Sequence, residues 1–344
     1  MKELLLQGIA IVLFVMLLIF LCKKYNFLLN YSGDVHQKFT LSTRVPLVGG
    51  IVILIFFNVI LLDYESQLEN LILSTFFIGF LSDLKIIRSP NIKLLIQSLL
   101  VFVCVYLSEI YLTNTRIVIL DYFLNNILFS YIFTAFCILI IINGTNFIDG
   151  NNVNVLSYYL IICWVLYNLN LNGFLSVETE LLIKISCLLL ILGVFNFFNK
   201  IYLGDSGSFI LGASFSFLLI DLYLKNQSLS PFFIILLLWY PAFENLFSIV
   251  RKVYLTNSPS HPDSDHLHQL IYYFLLKKIS FKKFRKNIIN SLTGLMINIY
   301  NLAIVVMAIR YPSNSIAVST LILVNLSVYC YLYFLLYRFK IKQI

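Results

Sequence analysis

The sequence contains few charged residues and no cysteine pattern that could cross-link it or bind zinc. Asp, Glu, Lys and Arg make up 12% of its 344 residues and hydrophobic residues 60%, whereas soluble domains contain about 25% charged and about 45–50% apolar residues. The six cysteines lie inside apolar runs without a CxxC pair, so we expect them to pack in the interior. This composition indicates that lipid surrounds most of the chain.

Apolar runs long enough to cross a bilayer recur along the whole chain. At about 20 residues per crossing, the sequence predicts about eleven transmembrane helices. The predicted spans are 3–22, 46–62, 68–84, 92–112, 126–143, 153–171, 179–198, 206–224, 231–250, 288–309 and 314–336. Little chain remains for a soluble domain, so we predict one all-α, polytopic integral-membrane domain over residues 1–344.

Basic residues collect on one side of the membrane when the spans are threaded alternately. The opposite loops contain few: Lys2, Arg116, Lys225 and Arg310. Because short cytoplasmic loops are enriched in Lys and Arg, we predict a bacterial inner-membrane protein with its N-terminus outside and its C-terminus in the cytoplasm. The net charge of +8 is spread over these loops and forms no single stripe, which argues against nucleic-acid binding.

The longest segment between predicted spans is the cytoplasmic loop 251–287. Long loops often contain functional residues. This one includes HPDSDHLHQ, followed by LIYYFLLKKISFKKFRK, which mixes apolar and basic residues. That mixture favours a helix in the lipid headgroup layer. His261, His266 and His268 do not by themselves specify zinc, because no cysteine is nearby, and we favour contact with phosphate over binding of a metal.

Two cytoplasmic segments nearer the N-terminus combine cations with other polar groups. DVHQKFTLSTRVPLVGG contains Lys38 ahead of a Gly-Gly pair, and cations beside a close backbone approach could hold phosphate. GFLSDLKIIRSPNIKLLIQ places Asp83 at the end of a span, closely followed by Lys85, Arg88 and Lys93. Asp83 is either a catalytic acid or an acid paired with a neighbouring lysine, and both interpretations stay open.

The segment NGTNFIDGNN repeats an oxygen-bearing side chain every three residues, at Asn143, Asn146 and Asp149. This spacing places the three groups roughly on one helical face. The face could bind hydrated Mg²⁺, a sugar amide or a phosphate. Alternatively, the three side chains cap two successive helices.

The segment NFFNKIYLGDSGSFILG begins at Asn196 and places Asp205 where the next predicted span starts. A helix N-terminus attracts anions, and a carboxylate there can bring Mg²⁺ to them. Asp205 could instead be a simple N-cap. Tyr202 could stack on a nucleobase. Asp, Asn, His and Lys on one membrane face, without a cysteine nucleophile or a Ser-His-Asp pattern, favour metal-assisted phosphoryl chemistry.

These motifs resemble those of the polyprenyl-phosphate N-acetylhexosamine-1-phosphate transferases of the WecA and MraY type. HQK with PLVGG, DLK, NGTNFIDG, YLGDSGS and HLH occur in the family's order and in the cytoplasmic loops that the family pattern requires. The resemblance implies that polyprenyl phosphate, undecaprenyl phosphate in bacteria, attacks the sugar-linked phosphorus of a UDP-sugar and releases UMP. An N-acetylhexosamine is the expected sugar, and the product would initiate a surface polysaccharide or cell-wall glycan.

The resemblance also implies roles for individual residues. Asp205 would be the principal Mg²⁺ ligand, with Asp149 as a second ligand and Mn²⁺ as an alternative ion. Asp83, Asp205, His266 and His268 would be catalytic. The substrate-binding residues would be Lys38, Lys85, Asn143, Asn146, Asp149, Asn196, Tyr202 and His261, with Tyr202 beside the uracil. Membrane lipid would surround the enzyme, and a homodimer is its candidate assembly.

The sequence departs from the family pattern at three places. Ser82 precedes Asp83 where the family usually has an acid, Gln269 replaces a third histidine, and Asn151-Asn152 replace a more glycine-rich form. A phosphate monoester is already largely ionised near neutral pH, so the reaction needs no strong general base. HPDSDHLH is more similar to the branch that uses UDP-N-acetylglucosamine or related sugars. A polyprenyl-lipid carrier with the same fold and no turnover is the alternative.

Overall fold

The computed structural model describes residues 2–30, 44–60, 66–173, 175, 177–254, 265–278 and 286–342. These residues form fourteen α-helices and a two-stranded antiparallel pair of two-residue strands, β1 (Leu29–Asn30) and β2 (Val45–Pro46). The helices are α1 (Lys2–Tyr25), α2 (Gly49–Ile60), α3 (Ser66–Asp83), α4 (Pro90–Ser108), α5 (Val118–Leu124), α6 (Ile127–Ile148), α7 (Asn154–Leu171), α8 (Thr179–Phe197), α9 (Gly204–Lys225), α10 (Pro231–Leu237), α11 (Trp239–Tyr254), α12 (Leu267–Lys278), α13 (Lys286–Ala308) and α14 (Ser315–Ile341).

The predicted all-α, polytopic membrane fold is confirmed. Within the described residues, eight helices are long and apolar enough to cross a membrane, or up to nine if the bent pair of α10 and α11 counts as one span. Each predicted span coincides with a helix or with that bent pair. Among the predicted spans, α2 has only twelve described residues and α3 starts with the polar sequence SQLEN. The predicted number of spans and their orientation therefore stay predictions.

The centre of the molecule is α9, which packs against α2, α3 and α6. Buried residues occupy all sides of this helix, as expected for a helix enclosed by others. Small residues let its neighbours approach closely. A Cβ added at Gly79 of α3 would lie 2.4 Å from the Cα of Ser206, and one added at Gly212 of α9 would lie 2.8 Å from the Cα of Ile142.

The predicted span 231–250 is not one straight helix, because α10 and α11 meet at 76°. Pro241 lies in the first turn of α11 and has no N–H to donate to the carbonyl of Leu237 at the end of α10. After the bend, Glu244, Ser248 and Lys252 are buried. The apolar residues Leu246, Ile249, Val250 and Val253 are exposed. This polarity, reversed from that of a soluble surface helix, suits a helix that faces lipid with its apolar side.

The predicted cytoplasmic loop 251–287 is partly helical in the residues that are described. α11 continues to Tyr254, and α12 occupies Leu267–Lys278 with Leu267, Leu270 and Tyr272 buried. α12 packs against α13 and α14. The position of this segment in the headgroup layer stays a prediction.

We predict that Gly79→Ala destabilises the protein, because the added methyl group would meet backbone atoms that a side-chain rotation cannot move. Overpacking of this kind costs about 1–3 kcal/mol, and the temperature midpoint of unfolding in detergent measures it. Gly193→Ala in α8 is the matched control, because nothing lies within 4 Å of its added Cβ. The control should gain about 0.5–1 kcal/mol. Equal midpoints for the two variants would contradict the close packing of α3 on α9.

Candidate active site

The C-terminal residue of α3 caps the N-terminus of α9. Asp83 Oδ1 accepts the backbone N–H of Asp205 at 2.8 Å, and Asp83 Oδ2 accepts the N–H and hydroxyl of Ser206 at 3.1 and 2.7 Å. The first N–H groups of a helix have no partner within it. Gly204 has φ +72°, and a Cβ there would lie 2.6 Å from Asp83 Oδ2. A side chain from another helix thus performs the capping.

Side chains from three further positions converge on the carboxylate of Asp205. Oδ2 pairs with the ammonium of Lys93 at 2.8 Å and accepts the hydroxyl of Ser82 at 2.7 Å. Oδ1 accepts the amide N–H of Asn146 at 2.8 Å. These partners belong to α4, α3 and α6. Asp205 is therefore the point at which four helices of the core meet through polar contacts.

Lys93 stands in the sequence as one of the cations that follow Asp83, but it was not among the predicted site residues. It lies on α4, four residues before Gln97, and residues with this spacing share a helix face. Gln97 is buried, and its Oε1 accepts the amide of Asn143 at 3.0 Å. The pattern Lys-x₃-Gln in SPNIKLLIQ could have indicated a polar face of α4 turned to the interior. It could not have identified Asp205 as the partner.

The two predicted asparagines of α6 have different surroundings. Asn146 donates to Asp205 and also to the hydroxyl of Ser208 at 3.0 Å, so it lies at the site. Asn143 donates to Gln97 and, at 2.9 Å, to the carbonyl of Leu139. One turn of helix separates the two side chains, and Asn143 joins α6 to α4. Its contact with a nucleotide sugar stays a prediction.

Asp149 terminates α6 and carries a half-buried carboxyl group. Burial raises the pKa of this carboxyl well above its ordinary value, and repulsion from Asp205 and Asp83 adds to the effect. The negative charges of Asp205 and Asp83 therefore both oppose ionisation of Asp149. Among the described residues, no group of three or more His, Cys, Asp and Glu side chains is arranged to hold a metal ion.

The segment before α9 is fixed by backbone bonds to the start of α2. The N–H of Tyr202 donates to the carbonyl of Pro46 at 2.9 Å, and the carbonyl of Tyr202 accepts the N–H of Gly49 at 3.0 Å. Burial raises the pKa of the Tyr202 hydroxyl to about 12. Asn196 is buried, accepts the N–H of Val153 and donates to the carbonyl of Ile201 at 2.9 Å. Asn196 therefore joins the segment before α7 to the segment before α9. Contact of Asn196 or Tyr202 with substrate stays a prediction.

The two described histidines lie near the turn that follows Asp149. The rings of His266 and His268 are nearly parallel, with 5.6 Å between their centroids. A Cβ added at Gly150 would lie 2.2 Å from His268 Nε2, so the ring is against the backbone of that turn. The ring of His266 contacts Phe147 at 5.3 Å between centroids. The histidines of α12 and the end of α6 thus form one surface.

Three predicted residues remain, namely Lys38, Lys85 and His261. Lys85 is exposed in the turn after α3, with φ +60°, and its N–H donates to the carbonyl of Ser82 at 2.8 Å. Lys38 and His261 lie outside the described residues. The catalytic, substrate-binding and metal-binding roles assigned from the sequence all stay predictions.

Comparison with known proteins adds independent information. Residues 68–223 match the family model described as glycosyl transferase family 4, and this range contains Asp83, Lys93, Asn146, Asp149 and Asp205. The undecaprenyl-phosphate alpha-N-acetylglucosaminyl 1-phosphate transferases of Salmonella typhi and Escherichia coli K12 are each 26% identical to the chain, over 76% of its length and 75% of theirs. A probable undecaprenyl-phosphate N-acetylglucosaminyl 1-phosphate transferase of Bacillus subtilis is 36% identical over 23% of the chain and 24% of its own length.

We predict that Asp83→Ala destabilises the protein more than removal of an ordinary helix cap. Loss of a local cap costs about 0.5–2 kcal/mol, and Asp83→Ala would also leave the hydroxyl of Ser206 without its acceptor. Asn314→Ala, which removes the exposed local cap of α14, is the control. Thermal unfolding in detergent compares the two variants. A loss for Asp83→Ala no greater than for Asn314→Ala would refute the capping role.

Proposed function

We propose that this chain, which matches glycosyl transferase family 4 over residues 68–223, transfers a sugar 1-phosphate from a UDP-sugar to polyprenyl phosphate, with release of UMP. The observation that carries this proposal is the convergence of Lys93, Ser82 and Asn146 on the carboxylate of Asp205. The names of the similar enzymes supply an undecaprenyl-phosphate acceptor and an N-acetylglucosaminyl 1-phosphate group. They support an N-acetylhexosamine as the sugar and undecaprenyl phosphate as the lipid.

The proposed reaction needs its two substrates to meet at a membrane surface. The site lies at one end of the helices, where α3 and α6 end and α7 and α9 begin. The basic residues Lys85, Arg88 and Lys200 lie in the connections between helices at this same end. This distribution supports a site at the cytoplasmic face of a bacterial inner membrane, where a water-soluble UDP-sugar is available. A homodimer stays a prediction.

In the transfer, an oxygen of the lipid phosphate forms a bond to the sugar-linked phosphorus of the UDP-sugar. The bond from that phosphorus to the oxygen bridging to the uridine-linked phosphate breaks, and UMP leaves with the electron pair. Catalysis of phosphoryl transfer depends mainly on positioning and on neutralisation of negative charge. The proposed phosphate contacts are Lys38, Lys85, His266 and His268, while Tyr202 and the asparagines would bind the nucleotide sugar.

Ser82 is compatible with this chemistry although an acid is usual at its position. The attacking phosphate has a second pKa of about 6 and is therefore largely ionised at neutral pH. It needs no strong general base. In this chain, the hydroxyl of Ser82 donates to Asp205 Oδ2 and thereby helps to orient that carboxylate.

The donor atoms at the site fit Mg²⁺, with Mn²⁺ as an alternative ion. Mg²⁺ prefers oxygen ligands, and Asp205 already holds a cationic group, the ammonium of Lys93. The effect of Asp205 on the pKa of Asp149 means that the two carboxyl groups feel each other's charge. Asp205 and Asp149 would hold the ion, which would supply positive charge to the diphosphate.

The decisive experiment measures UMP release by the purified protein in detergent with undecaprenyl phosphate, Mg²⁺ and a panel of UDP-N-acetylhexosamines. We expect lipid-dependent release with at least one donor and a loss of about a hundredfold or more in Asp205→Asn, the size of effect seen when a transition-state charge contact is removed. Asp221→Asn is the matched control, because Asp221 lies near the other end of α9, paired with Lys225. Folded protein that releases no UMP from any donor would contradict the transferase and support the lipid carrier.

We further predict that Asp205→Asn and Asp149→Asn each weaken the binding of Mn²⁺, used as a spectroscopic substitute for Mg²⁺, by about tenfold or more. Each substitution removes a charged oxygen ligand from a cation that prefers such ligands. Titration followed by electron paramagnetic resonance measures the affinity without turnover. Asp221→Asn should bind as the unsubstituted protein does. Unchanged affinity in both site variants would show that the ion binds elsewhere.

A further inference from the structure

Glu244 is a buried acid that the proposed reaction does not use. It lies on α11 with 1% of its surface exposed. Oε1 is 2.9 Å from His266 Nδ1 and accepts the N–H of Leu267 at 3.3 Å, while Oε2 accepts the hydroxyl of Tyr329 at 2.7 Å. A buried acid in a membrane protein is costly and is usually retained for a function. Its partners come from the start of α12 and from α14.

The contacts of Glu244 determine which nitrogen of His266 carries a proton. An ionised carboxylate only accepts hydrogen bonds, so the ring nitrogen facing it must donate. Nδ1 therefore carries a proton, and Nε2 is the nitrogen on the other side of the ring. A bond made by one ring nitrogen commonly sets the state and direction of the other.

The carboxylate of Glu244 is itself held in one orientation. Tyr329 is 1% exposed, and its ring lies edge-on to Phe243 at 4.9 Å and to Phe247 at 5.4 Å between centroids. The backbone N–H of Leu267 holds the other oxygen from the first turn of α12. The carboxylate cannot rotate without breaking contacts to two other helices. It therefore acts as a rigid acceptor for His266.

The orientation of His266 matters because of where the ring lies. It contacts Phe147, which comes two residues before Asp149, and it stacks on His268, which lies against Gly150. A rotation of the His266 ring would disturb both contacts. The bond to Glu244 thus determines how the paired histidines face the turn that contains Asp149.

We infer that Glu244 is a positioning residue, which with Tyr329 fixes the ring of His266 so that its Nε2 can contact a phosphate group of the substrates. The phosphate contact rests on the proposed transfer reaction. The hydrogen bond between Glu244 and Nδ1 does not, and it can be tested separately.

A double-mutant cycle on the rate of UMP release tests the functional part. Glu244→Ala should lower kcat by about tenfold to a hundredfold, the range known for loss of a group that orients a metal-binding histidine through its other ring nitrogen. In a His266→Asn background the same substitution should have almost no further effect, because Glu244 would act only through that ring. An equal loss in both backgrounds would mean a general structural role and would overturn the inference.

Two further variants test the inference if Glu244→Ala does not fold. Glu244→Gln keeps the size of the side chain, but its single amide oxygen cannot accept from both His266 and Tyr329. It replaces Glu244→Ala in the double-mutant cycle. It should lower kcat in the original protein and have almost no further effect in the His266→Asn background. Tyr329→Phe should also lower kcat, by less than Glu244→Ala. Tyr300→Phe is its matched control, because the Tyr300 hydroxyl bonds Asn325 of α14 and does not reach Glu244. Equal effects of the two tyrosine substitutions would contradict the role of Tyr329.

Nuclear magnetic resonance of ¹⁵N-histidine in the full chain in detergent tests the hydrogen bond without turnover. The signals of His266 are identified by their absence in His266→Asn. We expect a protonated Nδ1 that becomes less protonated in Glu244→Ala or, if that variant does not fold, a changed Nδ1 shift in Glu244→Gln. An unprotonated Nδ1 in the original protein would overturn the inference. A protonated Nδ1 in protein that releases no UMP would instead refute the transferase and leave the positioning intact.

Discussion

The bond between Asp83 and the first turn of α9 is the contact on which the site depends. It satisfies helix N–H groups that would otherwise lie unpaired in a protein interior, and it joins the end of one core helix to the start of another. Because Asp205 is the second residue of α9, the same bond fixes the position of its carboxylate. Ser82, Lys93 and Asn146 then reach that carboxylate from three directions. The same contact thus caps α9, joins it to α3 and positions the carboxylate of Asp205. Loss of the cap would therefore also alter the packing of the two helices and the geometry of the site.

Charge compensation explains how this much polarity is tolerated within a largely apolar protein. Asp205 is matched by the ammonium of Lys93, and the two oxygens of Glu244 have three hydrogen-bond partners. Burial of an acid without such partners would cost several kcal/mol. Asp149 differs, since burial and its acidic neighbours raise its pKa.

Much of the fold could be predicted from the sequence, because hydropathy acts locally and each predicted span coincides with a helix or with the bent pair. The position of Asp205 at a helix start was also predictable from where the next apolar span begins, whereas the sharing of one site by Asn146 and Asp205 was implied only by the resemblance. Contacts between distant segments were not. Asp83 and Asp205 are 122 residues apart and Lys93 and Asp205 112 apart, so the sequence alone could not identify Asp83 as a cap or Lys93 as a partner. The bend between α10 and α11 was missed because hydropathy carries no information on the direction of a helix.

The reversed polarity of α11 has a consequence for the order in which the protein can be assembled. Its apolar side can meet lipid as soon as the helix is made, but Glu244 on its inner side requires Tyr329, which is 85 residues further along the chain. Until α14 has been synthesised, Glu244 lacks one of its three hydrogen-bond partners. Glu244 therefore links completion of its contacts, and with them those of His266, to the synthesis of α14.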